Sequence, residues 1–111
     1  GEIENWFTDD SVNRFESYGW QTISVDGHNV DEIDQAIVKA KEESTKPSMI
    51  FCKTTIGFGS PNKSGTADVH GAALGEEELE KTREALGWKY SSFEVPQEVY
   101  EFWDSKKSGA R

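Results

Sequence analysis

IFCKTTIGFGSPNKSGTADVHGAALG, residues 50–75, changes character three times along its length. It opens as a buried strand through Ile50, Phe51 and Cys52, turns polar at Lys53, Thr54 and Thr55, and then runs through Gly57, Gly59, Pro61, Gly65, Gly71 and Gly75. Glycines clustered just after an apolar strand supply positive φ and close backbone approach, and in open α/β sheets the ligand crevice lies beyond the carboxyl ends of the strands. The stretch therefore predicts an α/β fold with its functional loop here.

Two phosphate-loop patterns come close and fail. GxGxxG needs a glycine where Asn62 stands, and GxxxxGK[ST] fails at the same residue despite Lys63 and Ser64. Both also need a helix that starts inside the loop and aims its N-terminus at phosphate. Pro61, Gly65 and the lack of apolar periodicity predict irregular chain until about Glu76. A long ordered loop carrying His70 remains.

Working backwards, Ser48–Lys53 is nearly all apolar, as a strand covered on both faces should be. Before it, Val30, Ile33, Ala36, Ile37 and Ala40 form a helical stripe, and Asn29 with Glu32 suggests a capping box. Before that, Trp20–Val25 alternates with period two, Ile23 and Val25 on one face. Strand, crossover helix and strand make one parallel βαβ unit. A first helix is predicted after Thr8 as N-cap, with Asp9 and Asp10 in its first turn, Val12, Phe15 and Tyr18 as its stripe, and Gly19 as its end. Beyond the loop, Glu76, Glu77 and Glu78 start a helix with Leu79 and Leu86 on one face and Gly87 after it. Trp88, Tyr90 and Phe93 form an aromatic crossing, and Pro96 opens a short helix that packs through Val99, Phe102 and Trp103. The predicted order is α-β-α-β-loop-α-α with a parallel strand pair. Two strands do not make a stable parallel sheet, so further strands are expected upstream.

Composition sets outer limits. A chain of 111 residues has room for one domain. Net charge of −9 and a mean hydropathy of −0.73 describe an acidic surface unsuited to nucleic acid or an anionic membrane. No apolar run approaches the roughly 20 residues of a membrane span, and no signal-peptide pattern opens the chain. The single Cys52 cannot form an internal disulfide and reads as a small core residue of a reducing compartment. The acidic pair Asp9–Asp10 and the run Glu76–Glu78 read as helix-start residues rather than metal ligands, because consecutive helical residues point in different directions. His28, in a turn with Asp26 and Asn29, reads as turn-stabilising.

KTTIGFGSPNKSGTADVHGAALG (53–75), LEKTREALGWKY (79–90), FEVPQEVYEFW (93–103) and WFTDDSVNRFESYGW (6–20) together resemble the transketolases, thiamine diphosphate-dependent transferases of the pentose phosphate pathway. The resemblance runs from Trp6 to Trp103. It implies that residues 1–105 are the second part of the diphosphate-binding domain, with 106–111 starting a linker and the pyrimidine-binding and C-terminal domains lying elsewhere. It implies a doubly wound thiamine diphosphate-binding fold, a homodimeric parent located in the cytoplasm or a plastid, and thiamine diphosphate with Mg2+ or Ca2+ as cofactor. The family's GDG and NN metal motif does not occur in these residues, so the resemblance places the metal ligands outside them and expects the chain alone to be inactive.

Loop histidines are more often structural than catalytic, but the resemblance places His70, in HGA, beside the cofactor diphosphate and the sugar phosphate substrate. There it would hydrogen-bond substrate oxygen or phosphate and help proton transfer. Ile56 and Gly57 would pack against the thiazolium and diphosphate, although an apolar residue leaving a strand also reads as core filling. Lys53 would lie near the mouth of the substrate site. One position departs: many transketolases carry a second histidine where this chain has Ala67. Two other readings stand beside this one. One is a related enzyme such as dihydroxyacetone synthase; the other is a non-enzymatic acidic interaction module.

Overall fold

The computed structural model describes residues 7–106 and residue 109. Its elements follow the predicted order: α1 (Ser11–Ser17), β1 (Gln21–Asp26), α2 (Val30–Glu42), β2 (Ser48–Lys53), α3 (Glu76–Ala85) and α4 (Gln97–Trp103), with one 3-10 turn at Ala67–Val69 inside the glycine loop. The strands pair in parallel, Gln21 opposite Ser48 through Asp26 opposite Lys53. α2 makes the crossover and touches both strands, while α1 lies on the face that carries Phe51, through Phe15 at a ring separation of 5.9 Å.

Local chemistry explains the element ends. Asn29 Oδ1 accepts from the backbone N–H of Asp31 and Glu32, and Glu32 reaches back to the N–H of Asp26 at 2.8 Å, closing the turn between β1 and α2. At α1 the cap is Asp10, which accepts from Asn13 N–H at 3.0 Å, and not Thr8. Aspartate outranks threonine as a cap, and a two-residue shift in entry decides between them. Gly19 and Gly87 end their helices with φ of 82° and 67°, as their positions predict.

Packing departs from expectation. Ala36 is the single buried apolar residue among those described, and the radius of gyration, 18.2 Å, exceeds the roughly 13 Å of a compact domain of this size. β2 is half-buried to exposed rather than covered on both faces, and Cys52 is exposed, not a core residue. Phe102 and Trp103, the expected packing face of α4, are 85% and 77% exposed. An amphipathic pattern says which face a helix would bury, and here no described element lies against it. The isolated chain is therefore expected to self-associate or melt without cooperativity. A monodisperse monomer in sedimentation, with a cooperative melt above ~65 °C, would contradict this.

Candidate functional site

Both parallel strands deliver their carboxyl ends, Asp26 and Lys53, to the same edge of the molecule, and the loops that follow build the site there. After β1, Asp26 Oδ1 accepts from His28 N–H at 2.9 Å and orients the imidazole across to the other loop. His28 Nε2 accepts the Thr55 N–H at 2.7 Å, and the ring stacks on Phe58 at 3.9 Å with 12° between planes. An accepting Nε2 fixes the neutral tautomer with its proton on Nδ1. The His28 ring thus ties one loop to the other rather than bonding within its own turn. Lys53 lines the same hollow, of about 590 Å³, with Asp26, Glu32 and Thr54.

The chain then folds back on itself. Gly65 N–H donates to Ile56 O at 2.8 Å and Ser60 N–H to Gly57 O at 3.0 Å. Gly57 has φ +66°, and the volume where its Cβ would stand is filled by Val69, whose Cγ2 would be 3.0 Å away. The glycine is needed, but for seating the 3-10 turn that precedes His70. Ile56 is half-buried beside it. His70 caps that turn through its own N–H to Ala67 O and is exposed, lining an open hollow of about 480 Å³ with Lys63, Ala67, Asp68, Gly71 and Ala72. The structure therefore joins Ile56, Gly57 and the base of His70 through Val69, whereas Lys53 lines the separate hollow of His28.

Gly59 is the tightest point. Its φ is +90°, and a Cβ there would stand 2.6 Å from Cδ2 of Leu86, the residue that caps the end of α3. Gly59→Ala in the full-length protein is expected to destabilise by about 1–3 kcal/mol, from left-handed strain and the clash together. Gly71→Ala, which meets nothing within 4 Å, is expected to be near neutral. Equal denaturant midpoints for the two variants would refute this.

The glutamate run at α3 is not uniformly solvated. Glu77 pairs with Lys81 at 2.6 Å on the surface, as a first-turn residue should. Glu78, only 7% exposed, instead turns its carboxylate into the loop. Oε1 accepts from the Ser60 hydroxyl and from Asn62 N–H at 2.8 Å, and Oε2 accepts from Asn62 Nδ2 at 2.8 Å. Ser60, itself 3% exposed, accepts from Lys63 N–H, and Lys63 Nζ donates to Leu74 O at 2.8 Å. Hydrogen bonds from Ser60, then from Asn62, hold the Glu78 carboxyl down at about 2. A folded value below the unfolded one means that this tie contributes fully above the ordinary carboxylate range and is lost as pH falls through about 2. The sequence offered one faint signal for it, an acid at the third position of a helix with hydroxyl and amide residues upstream.

Thiamine diphosphate finds partial complementarity here, since a half-buried Ile56 and a glycine-shaped backbone stand just beyond the strand ends. A divalent cation does not: among the described residues no group of three His, Cys, Asp or Glu side chains is placed to hold one. No described helix is long and apolar enough to cross a membrane.

A family model described as transketolase, thiamine diphosphate binding domain, matches residues 1–111. Transketolase 1 of Escherichia coli is 54% identical over 110 residues, covering 98% of this chain and 17% of that protein. The transketolase of Buchnera aphidicola subsp. Schizaphis graminum is 55% identical over 112 residues, covering 100% and 17%. Among solved structures, the transketolase of Campylobacter jejuni subsp. jejuni superimposes with a TM-score of 0.82 at 37% identity, over 95% of this chain and 17% of that one. A Pichia stipitis transketolase in complex with sedoheptulose 7-phosphate gives 0.78 at 37% identity, over 91% and 15%. The chain thus spans 17% of the length of the curated relatives it matches. Matched along its whole length by the family model and superimposing on a solved transketolase over 95% of its residues, it belongs to the transketolase family, within the thiamine diphosphate binding domain.

Proposed function

We infer that this chain is part of a transketolase that moves a two-carbon ketol unit from a ketose phosphate to an aldose phosphate. The observation that carries the reading is the family match over the full 111 residues, with the loop of Ile56, Gly57 and His70 at the carboxyl ends of parallel strands. Residues 1–105 form part of the diphosphate-binding domain, and 106–111 lead out of it. The exposed apolar residues of α2 and α4, among them Val38, Phe102 and Trp103, suit a chain completed by the rest of its domain and by the other transketolase domains. The parent works as a homodimer in the pentose phosphate pathway, in the cytoplasm or a plastid, with Mg2+ or Ca2+ held by residues outside this chain.

The cofactor, when bound, supplies the means to stabilise the carbanion released by C–C cleavage. This chain's residues position and bind. Ile56 offers an apolar wall to the thiazolium. Gly57 keeps the backbone turned so that Val69 seats beneath His70. His70, exposed on its turn, donates a hydrogen bond to a substrate oxygen or to phosphate, where a proton must be held as the ketol bond breaks and re-forms. Lys53, an exposed ammonium at the end of β2, attracts the phosphate of an incoming sugar in an otherwise acidic surface.

The test is an assay of the full-length protein with xylulose 5-phosphate as donor, and ribose 5-phosphate or formaldehyde as acceptor. Transfer to ribose 5-phosphate supports a transketolase. Preference for formaldehyde would mean a dihydroxyacetone synthase, and no transfer to either would overturn the enzyme reading in favour of an interaction module.

A further inference from the structure

The loop that carries His70 is packed at two points, Val69 against Gly57 and Leu86 against Gly59, and otherwise relies on hydrogen bonds. Between β2 and α3 it contains one three-residue turn, and its surface around His70 is open. Several hydrogen bonds fasten its near end, and two of them reach furthest along the chain. His28 takes the Thr55 N–H before the loop begins, and Ile56 O takes the Gly65 N–H across its first bend. Its far half, through Asp68, His70 and Ala72, is exposed and makes no packed core of its own. Glu78 lies where α3 takes over and reaches back 16 and 18 positions to Asn62 and Ser60. The carboxylate therefore closes the segment 60–78 into a ring with His70 inside it, and Lys63, bonded to Ser60 on one side and to Leu74 O on the other, braces that ring across its middle.

We propose that Glu78 is a positioning residue for His70: by bonding Ser60 and Asn62 it sets where the loop, and so the imidazole, stands relative to the ends of the strands. The idea rests on the reading of His70 given above. An ionised carboxylate suits the task because it only accepts, and all three of its partners present donors. Nearly excluded from water, it has no ready solvent substitute at Ser60, and its loss leaves that buried hydroxyl without its acceptor. Glutamine is an imperfect replacement. Its oxygen can still take the Asn62 N–H and the Ser60 hydroxyl, but its NH2 would face the NH2 of Asn62.

The test uses the full-length protein with its cofactor. Glu78→Ala is expected to raise amide hydrogen exchange across residues 63–71 and to lower kcat/KM by about 10- to 100-fold, the scale at which displacement of a catalytic group is felt. Glu78→Gln should fall between it and wild type in both measurements. In the double variant with His70→Ala, the Glu78 substitution should add little further loss, because the two act through one group. Unchanged exchange, an unimpaired Glu78→Ala, or losses that multiply independently would each overturn the proposal. If Glu78→Ala fails to fold, Ser60→Ala with Asn62→Ala removes the two side-chain bonds from the loop side, leaves the Asn62 N–H bond, and must give the same pattern to a smaller extent. An unimpaired His70→Ala single variant would be a failure of the catalytic reading of His70 instead, and the exchange measurement would then decide whether Glu78 fastens the loop.

Discussion

Replacing His70 by alanine in the full-length protein is expected to lower kcat/KM with sugar phosphates by roughly 10²-fold or more, as loss of a positioned acid-base or polar group does. The fold should hardly register the change. His70 is exposed and its backbone turn is closed by Ala67 O, which alanine preserves, so the melting temperature should stay within about a degree or two. His28→Ala is the control, for a reason more specific than distance. It deletes an acceptor for the Thr55 N–H, but Thr55 is exposed, and water can take that bond over. Turnover should therefore remain within a few fold. Near wild-type turnover of His70→Ala, or collapse of activity in His28→Ala alone, would transfer the catalytic role to the hollow of His28, Lys53 and Phe58 and would overturn the present assignment.

The 111-residue chain on its own is expected to give no saturable heat with thiamine diphosphate and magnesium in calorimetry. Diphosphate carries concentrated negative charge and needs a bridging cation, yet the described residues hold no three-ligand cluster for one, and the chain bears a net charge of −9. Ile56 and the glycine backbone offer apolar contact and shape without that counter-charge. Binding in the micromolar range would show that cofactor affinity resides in the loop itself. The same titration on the full-length protein should give a clear isotherm that disappears with chelator.

What could be read from the sequence was local. Asn29 and Glu32 announce a cap because their partners lie within six residues, and Gly19 and Gly87 announce positive φ because helix ends demand it. The period-two and continuous apolar runs were enough for β1 and β2 and for their parallel pairing through α2. Contacts that span the chain were not legible. Glu78 stands in a run of three similar residues, and apart from its third position in the helix little marks it as the one that turns inward to Ser60 and Asn62. The reach of His28 to Thr55 depends on the strand register, which periodicity does not supply. Cys52 and the aromatic face of α4 were misjudged for a different reason: an apolar pattern records that burial is available, while exposure is settled by which elements are there to cover it. Nor was it legible that Val69 packs against the face of Gly57 where a Cβ would stand.

The constant offset between the strands has a consequence for how the chain finds its fold. Every residue of β1 meets one 27 positions later, and both the Ser48–Gln21 side-chain bond and the Thr55–His28 bond share that separation. The entropy of closing a loop is thus spent once, at the first pair, and each later pair, His28 included, is added by zipping. Because closure entropy grows only with the logarithm of length, doubling that loop would cost only about 0.6 kcal/mol. Extra residues in the 43–47 connection should therefore be tolerated. A slip of one residue in register would be another matter, since it turns each side chain of a strand to the opposite face and presents the His28 ring to the wrong amide.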